Sequence, residues 1–204
     1  SVPAVVNILA AESGVILSQP NFYYGSLGGE NPQYGAVKIG ADAVRGKTTG
    51  SGITVAVVDT GIDYNHPALD GKIVQKADFV NPDMSGFTSE SHGTSVAGII
   101  AASAVENDGM SGVAPGVRLI AARACWSDPG NNKKAVCSSE KLAKAIDFAV
   151  SNNARVINLS VGGPKDGLIA ALIQSAYGSG VTVVAAAGNG GAKGKPVYPA
   201  ALNK

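Results

Sequence analysis

An aspartate and a histidine in this sequence lie where they could share a proton. Asp59 follows a run of apolar and β-branched residues, Ile53 to Val58, which predicts a strand buried on both faces of a sheet. Open α/β sheets carry their chemistry at the carboxyl ends of such strands. His92, one of two histidines in the chain, could donate its Nδ1–H to Asp59 and keep Nε2 free as a general base. A purely structural hydrogen bond between them is the alternative.

Two later segments could serve the same site. Residues 183–187 form an apolar strand ending in small residues, and Asn189 follows it. The amide of Asn189 can donate two hydrogen bonds, which suits it to stabilising an oxyanion; a plain Asn-Gly turn is the alternative. A second strand, 157–161, runs into Gly162 and Gly163, whose free backbone could pair with an extended peptide. An ordinary exit from a strand into a loop is the alternative there.

Strands and helices alternate from residue 50 onward. Such alternation predicts parallel strands joined by right-handed crossovers, and so an α/β, doubly wound sheet. Helix caps are expected at Ser138 or Ser139 and at Asp166. The predicted strands are 53–58, 118–123, 155–161 and 181–187, and the predicted helices are 92–104, 139–152 and 166–177.

The helix that begins at His92 has a distinctive mixture of small and branched residues. Val96, Ile99 and Ile100 are predicted to form its inward face, while the small residues between them allow close approach to a neighbour. The other histidine, His66, precedes a proline and is predicted to be a surface or capping residue in a turn.

The composition limits the classes of function. The chain has 204 residues, a net charge of +1 and only 15% charged residues, so its charge gives no indication of a nucleic-acid partner or of binding to a membrane surface. No apolar run approaches the roughly 20 residues of a membrane span. Residues 25–50 are rich in glycine and polar residues and are predicted to be a linker that runs into a surface segment.

Two cysteines, Cys125 and Cys137, bracket a mostly polar loop. We predict a disulfide that staples this loop, which would imply an oxidising compartment. Two reduced, half-buried thiols are the alternative. Neither histidine lies near them in sequence, which argues against a metal site.

Together and in this order, the segments resemble the motifs of the subtilases, the subtilisin-like serine proteases. Asp-Thr-Gly at 59–61 is similar to the family's aspartate motif, and His-Gly-Thr-Ser-Val-Ala-Gly at 92–98 to its histidine motif. Asn-Leu-Ser-Val-Gly-Gly at 158–163 resembles the substrate-binding strand, and Ala-Ala-Ala-Gly-Asn at 185–189 resembles the oxyanion motif. The resemblance covers roughly residues 34–204.

The resemblance implies a serine endopeptidase that acts on polypeptide substrates by acyl transfer. His92 would take the proton of a nucleophilic serine, Asp59 would orient the imidazole, and Asn189 would bind the oxyanion. Small, uncharged walls predict a primary pocket for apolar or aromatic side chains. The residues implied to bind substrate are Ser160, Val161, Gly162, Ala185, Ala186, Ala187 and Gly188.

The sequence departs from the family pattern at the nucleophile. The family's Gly-Thr-Ser-x-Ala-x-Pro motif does not follow Asn189, and the similar residues 93–97 belong to the histidine helix. Ser95 is expected to pack behind His92 and is not assigned as nucleophile. We therefore expect a domain truncated at its C-terminus, an inactive chain when it is alone, and a partner in the missing part of the same catalytic domain.

A second departure concerns calcium. Subtilases often carry an aspartate ligand soon after a His-Pro pair, but here Ala68 takes that place and Asp70 comes two residues later. Carboxylate-rich loops are few, so no metal ligand is assigned and no cofactor is expected, with calcium left as an open alternative.

The resemblance also suggests an organisation for the chain. Residues 1–24 are similar to the tail of the family's inhibitory propeptide, and residues 25–204 to the N-terminal portion of the catalytic domain. A secreted or otherwise extracytoplasmic protein is expected. One alternative is a non-catalytic, subtilase-like module that binds peptides or inhibits a protease. A nucleotide-binding domain is disfavoured because residues 59–63 and 189–196 lack a phosphate-binding glycine loop.

Overall fold

The computed structural model describes residues 34–104, 111–127, 135–191 and 194–202. The predicted propeptide tail 1–24 lies outside them, as does the central part of the disulfide-bracketed loop. The strands are β1 Thr54–Asp59, β2 Ile73–Asp78, β3 Arg118–Arg123, β4 Cys125–Ser127, β5 Ala135–Cys137, β6 Val156–Leu159 and β7 Thr182–Ala185. The helices are α1 Tyr34–Lys38, α2 Ala41–Arg45, α3 Ser91–Ala101, α4 Ser139–Ser151 and α5 Gly167–Gly178, with 3₁₀ turns at Pro67–Leu69 and Phe87–Ser89.

Five strands form one parallel sheet in the order β2-β3-β1-β6-β7. β1 lies at the centre, and the chain adds strands first on one side of it and then on the other. A crevice forms at the carboxyl ends of the strands where this direction of winding reverses. Asp59 is the last residue of β1 and therefore lies at that edge.

Helices cover both faces of the sheet. Ala56 and Val58 of β1 pack into a core with Ile146 of α4 and Ile169 of α5. The alternate residues of β1 point to the opposite face, where Val57 belongs to a core that contains Ala97 and Ala101 of α3. The predicted α/β, doubly wound, mainly parallel sheet with helices on both faces is thus confirmed.

The predicted bounds of strands and helices agree closely with the observed ones where the sequence signal is strong. β3 has the predicted bounds, and Ser138 and Asp166 cap α4 and α5 by accepting hydrogen bonds from backbone N–H groups of the first turn. Predicted strands 155–161 and 181–187 are too long at both ends, because pairing between β6 and β7 is confined to four residue pairs.

The structure differs from the sequence-based expectations in three places. The part of the predicted linker that the structure describes contains α1 and α2, whose Ala36 and Ala41 are buried. β2 was not predicted because it lies at the sheet edge and exposes much of its length, so its sequence has no continuous apolar run. In α3, Val96 and Ile100 pack against the core as predicted. Ile99 is instead 58% exposed, and small residues including Ala97 and Ala101 are the fully buried ones.

Candidate active site

The carboxylate of Asp59 and the imidazole of His92 form a direct hydrogen bond. Nδ1 of His92 lies 2.6 Å from Oδ1 of Asp59. Because an ionised carboxylate only accepts, Nδ1 carries the proton and Nε2 is left with a free lone pair. The Asp59 side chain is 1% exposed and the His92 side chain 51% exposed, so the pair has a buried acid and an accessible base.

Burial sets the electrostatics of the pair. It raises the pKa of the Asp59 carboxyl above its usual 3.8, while hydrogen bonds from His92 and from the Thr60 backbone act in the opposite direction. Oδ1 accepts both bonds, and Oδ2 is buried without a hydrogen-bond partner among the described residues. A poorly solvated carboxylate of this kind is stabilised by the N–H group that it accepts from His92.

Tertiary contacts hold the start of α3 against β1. No side chain caps the helix, and instead Thr60 Oγ1 accepts the backbone N–H of Gly93 at 2.9 Å. Thr94 Oγ1 accepts the backbone N–H of Asp63 at 2.8 Å. Sequence reasoning missed Thr60 and Thr94 as positioning residues, although each lies within a motif that it singled out.

Close packing of backbone makes these contacts possible. A Cβ atom on Gly93 would lie 2.6 Å from the carbonyl oxygens of Thr60 and Gly61. One on Gly61 would lie 1.9 Å from the carbonyl oxygen of Phe87. Glycine is therefore required at both positions: a side chain on Gly93 would separate α3 from the Asp59 loop, and one on Gly61 would separate that loop from the backbone of Phe87.

The Asp–His pair opens onto a cavity of about 830 Å³. Its wall brings together elements that are distant in sequence, namely the start of α3, the β4–β5 hairpin, the segment after β6 and the segment near Tyr198. The lining residues are Asp59, Ser91, His92, Ser95, Ser127, Ala135, Val136, Cys137, Ser139, Leu142, Ser160, Val161, Gly162, Gly163, Pro164, Asp166, Ile169, Ala170, Tyr198, Pro199 and Leu202.

The segment predicted to bind an extended peptide lies in this wall. Ser160, Val161 and Gly162 all line the cavity. Neither Val161 nor Gly162 uses its backbone in a hydrogen bond to another backbone group of the described chain. Gly163, which was also considered, is already paired, since its N–H and C=O both bond to Tyr198. Among the two glycines, only Gly162 therefore keeps a backbone free for a peptide.

The predicted oxyanion segment is not part of the cavity wall. Asn189 is exposed, and neither it nor Ala185, Ala186, Ala187 or Gly188 is among the residues that line the cavity.

The segment nevertheless neighbours the predicted substrate strand. Leu159 pairs with Ala185, and Cβ atoms on Gly162 and Gly188 would both meet Val197. Participation of this segment in the site stays a prediction.

Ser95 lies in the cavity wall, so the expectation that it packs behind His92 is wrong. Its hydroxyl donates to the carbonyl of Ser91 at 2.9 Å, one helical turn earlier. The other histidine behaves as predicted, because Nδ1 of His66 accepts the backbone N–H of Ala68 and caps a 3₁₀ turn.

Cys125 and Cys137 form a disulfide that joins β4 to β5. The sequence predicted a stapled loop but not that its two ends pair as strands, nor that Ser127, Ala135 and Val136 form a wall of the cavity. The cysteine spacing was the only available signal, since three-residue strands are too short for a periodic pattern.

Within the described ranges, no three His, Cys, Asp or Glu side chains are grouped so that they could bind a metal ion together. The expectation that no cofactor is needed stays a prediction. No described helix has the length and hydropathy to cross a membrane.

The fold and the site define the class: a doubly wound α/β protein with an Asp–His pair at the carboxyl edge of its sheet. Comparison with known families agrees with this class, because the model of the Subtilase family, peptidase S8, matches residues 50–204. This chain belongs to the Subtilase family.

Curated relatives show the same relationship. A "Thermophilic serine proteinase" of Bacillus sp. (strain AK1) is 36% identical over 199 residues, which cover 94% of this chain and 48% of that protein. Thermitase of Thermoactinomyces vulgaris is 40% identical over 170 residues, 82% of this chain and 58% of the relative. Subtilisin E of Bacillus subtilis (strain 168) is 39% identical over 177 residues, 82% and 43% respectively. The chain thus spans about half the length of these relatives.

Proposed function

We propose that this chain contributes the acid, the base and part of the substrate cleft of a serine endopeptidase of subtilisin type. The observation that carries the proposal is the 2.6 Å bond between His92 Nδ1 and Asp59 Oδ1 at the wall of a large cavity. Family membership and the names of the relatives support the same chemistry.

The proposed reaction is acyl transfer at a peptide bond. Nε2 of His92 takes the proton of a serine hydroxyl as that oxygen attacks the scissile carbonyl, and later gives it to the leaving amine. Asp59 keeps the imidazole in the required tautomer and stabilises its protonated form. In this proposal the amide of Asn189 and a backbone N–H bind the oxyanion, as suggested by the similarity of residues 185–189 to the family's motif.

The substrate would be a polypeptide in extended form. The unpaired backbone of Val161 and Gly162 offers an edge to which one strand can add, and the cavity behind that edge can receive side chains. Most of this wall is apolar or small, which favours apolar or aromatic substrate side chains. Residues 185–188 are proposed to complete the primary pocket.

The family's serine motif does not occur in these 204 residues beyond the similar stretch in α3, so we propose that the chain by itself does not turn over substrate. Activity requires the remaining part of the catalytic domain, and residues 1–24 are proposed to be a propeptide tail. The Cys125–Cys137 disulfide supports an extracytoplasmic location, because such bonds persist in oxidising compartments.

The test compares the complete gene product with this chain. We expect the complete product to hydrolyse an unstructured protein such as casein and to react with a fluorophosphonate probe, and the 204-residue chain to do neither. His92→Ala should lower turnover by about 100-fold or more, because it removes the general base. His66→Ala is the matched control and should leave turnover within about two-fold, since this histidine caps a turn outside the cavity.

Two results would contradict the proposal. Labelling of Ser95 in the 204-residue chain would show that the nucleophile had been assigned wrongly. A complete product that lacks a reactive serine and cleaves nothing would instead indicate the non-catalytic, peptide-binding alternative.

A further inference from the structure

A buried ionic cluster lies behind the Asp–His pair, with Arg123 of β3 at its centre. Nη1 of Arg123 donates to Oδ2 of Asp78 at 2.9 Å and to the carbonyl of Ser85 at 2.8 Å. Nη2 donates to Oε1 of Glu90 at 2.9 Å. The three charged side chains are between 0% and 9% exposed. Nε of Arg123 has no hydrogen-bond partner among the described residues, so the two Nη atoms carry all of its pairing. Loss of one partner of a buried ion pair is strongly destabilising, so this cluster resists displacement of the elements that carry it.

Glu90 occupies an unusual position in this cluster. It is the N-cap residue of α3, where Ser, Thr, Asp or Asn would ordinarily bond to the first turn, yet its side chain makes no such bond. The carboxylate points away from the helix toward Arg123. The start of α3, two residues before His92, is therefore tied by a side chain to β3.

The same carboxylate also contacts the wall of the cavity. Oε2 of Glu90 accepts the hydroxyl of Ser127 at 2.6 Å, and Oε1 lies 3.4 Å from the Ser127 backbone nitrogen, which donates to it. Ser127 ends β4 and lines the cavity in the hairpin that the Cys125–Cys137 disulfide closes. One buried carboxylate thus contacts both the histidine helix and the hairpin wall.

We propose that Glu90, held by Arg123, is a positioning residue that sets the place of His92 relative to Asp59 and to the cavity wall. The inference rests on the proposed function for its effect on turnover, but its geometric content concerns only this chain. Glu90 does not touch Nε2 or the cavity and takes no part in proton transfer. It acts through the backbone of α3.

The first measurement is the imidazole spectrum of the chain, recorded by long-range ¹H–¹⁵N correlation. With two histidines in the sequence, His66 serves as the internal reference for His92. Glu90→Ala should move or broaden the His92 signals and weaken the Nδ1–H resonance that reports the bond to Asp59. The His66 signals should stay in place. Glu90→Gln keeps the length and the acceptor toward Arg123, and should largely restore the His92 signals.

The second measurement is kinetic and uses the complete gene product. Glu90→Ala should lower kcat by about 10-fold or more with a smaller change in KM, because misplacement of a catalytic group by about 1 Å can cost two orders of magnitude. Ser127→Ala removes the hydroxyl bond between the hairpin and Glu90, leaves the backbone bond in place, and should act mainly on KM. Asp42→Ala, which breaks an exposed ion pair with Arg45, is the control and should change neither.

The outcomes separate the two proposals. Unchanged His92 signals in a folded Glu90→Ala chain, or an unchanged kcat in an active product, would overturn the positioning role and leave the protease function standing. Perturbed His92 signals together with an inactive parent product would support the positioning role and refute the protease function.

A second variant covers the case in which Glu90→Ala does not fold. Arg123→Lys then carries the test, because one ammonium replaces the two nitrogen atoms that hold Asp78 and Glu90 separately. Shifted His92 signals would support the proposal, and unshifted signals would overturn it.

Discussion

Replacing Gly93 with alanine would test whether backbone contact between α3 and the Asp59 loop sets the position of His92. A Cβ atom at this position would lie 2.6 Å from two carbonyl oxygens, those of Thr60 and Gly61. Ordinary contacts begin near 3.4 Å, so helix and loop would have to separate by about 0.8 Å. The loop cannot retreat easily, because Gly61 itself is in tight contact with the backbone of Phe87.

The displacement would fall mainly on α3 and its histidine. If α3 withdraws by that amount, the 2.6 Å bond between His92 and Asp59 lengthens to about 3.4 Å, where little of its strength remains. Overpacking of this kind costs about 1–3 kcal/mol of unfolding free energy. We expect Gly93→Ala to lose that amount and the complete gene product that carries it to lose about 100-fold in turnover.

Urea unfolding of the chain and the His92 imidazole spectrum measure the two consequences. Gly178→Ala is the matched control, since nothing lies within 4 Å of its Cβ position in α5 and its backbone is compatible with alanine. The control should unfold at the same or a higher urea concentration, because alanine favours helix over glycine. If Gly93→Ala matched the control in stability and kept the parent's His92 signals, the reasoning about close approach would be refuted.

Three other predictions concern stability. Burial raises the folded-state pKa of Asp59, so the folded chain binds a proton there more tightly than the unfolded chain. The unfolding free energy, relative to that of Asp59→Asn, should therefore rise as the pH falls through the folded-state pKa toward 3.8. Urea midpoints of the two chains that ran parallel at every pH would contradict this. Ser138→Ala removes the cap of α4 and should lower the unfolding free energy by about 1 kcal/mol in the same assay, against little change for Ser151→Ala, which alters an exposed serine at the other end of the same helix. Reduction of the Cys125–Cys137 disulfide, which closes a loop with a sequence separation of 12, should lower the unfolding free energy by about 2–3 kcal/mol. Equal urea midpoints with and without dithiothreitol would show that other contacts hold the loop.

The sequence predicted most where a residue's role depends on local pattern. The apolar run before Asp59 predicted a buried central strand, and the polar residues Ser138 and Asp166 predicted helix caps. The pairing of Asp59 with His92 followed from the place of Asp59 at the carboxyl end of a buried strand and from the presence of only two histidines, one of which opens a helix of small residues.

What the sequence could not predict depends on packing between distant segments. The inward face of α3 was assigned to its largest residues, including Ile99, but the close approach to β1 selects small ones such as Ala97. The β4–β5 hairpin and the edge strand β2 lack a periodic apolar signal, because one is too short and the other is largely exposed. The ion pairs of Arg123 likewise cannot be inferred from a single charged residue at the end of a strand.

The position of the imidazole is set by tertiary contacts, not by the helix that carries it. The N-cap residue of α3 makes no side-chain capping bond, and three other contacts hold the start of the helix. They are the hydrogen bond of Thr60 to the Gly93 amide, that of Thr94 to the Asp63 amide, and the ion pair of Glu90 with Arg123. Each of these contacts joins α3 to another segment of the chain, and all of them lie between residues 59 and 127.

The acid and base are therefore placed by β1, β3 and α3, whereas the free backbone of the cleft follows β6. The Asp–His pair and the segment after β6 meet at the cavity, but none of the three contacts that hold α3 involves the segment after β6. Substitutions that disturb the segment after β6 should consequently alter substrate binding while leaving the Asp59–His92 bond intact. The reverse should hold for the contacts that hold α3, because they set the position of His92 and their residues do not line the cavity.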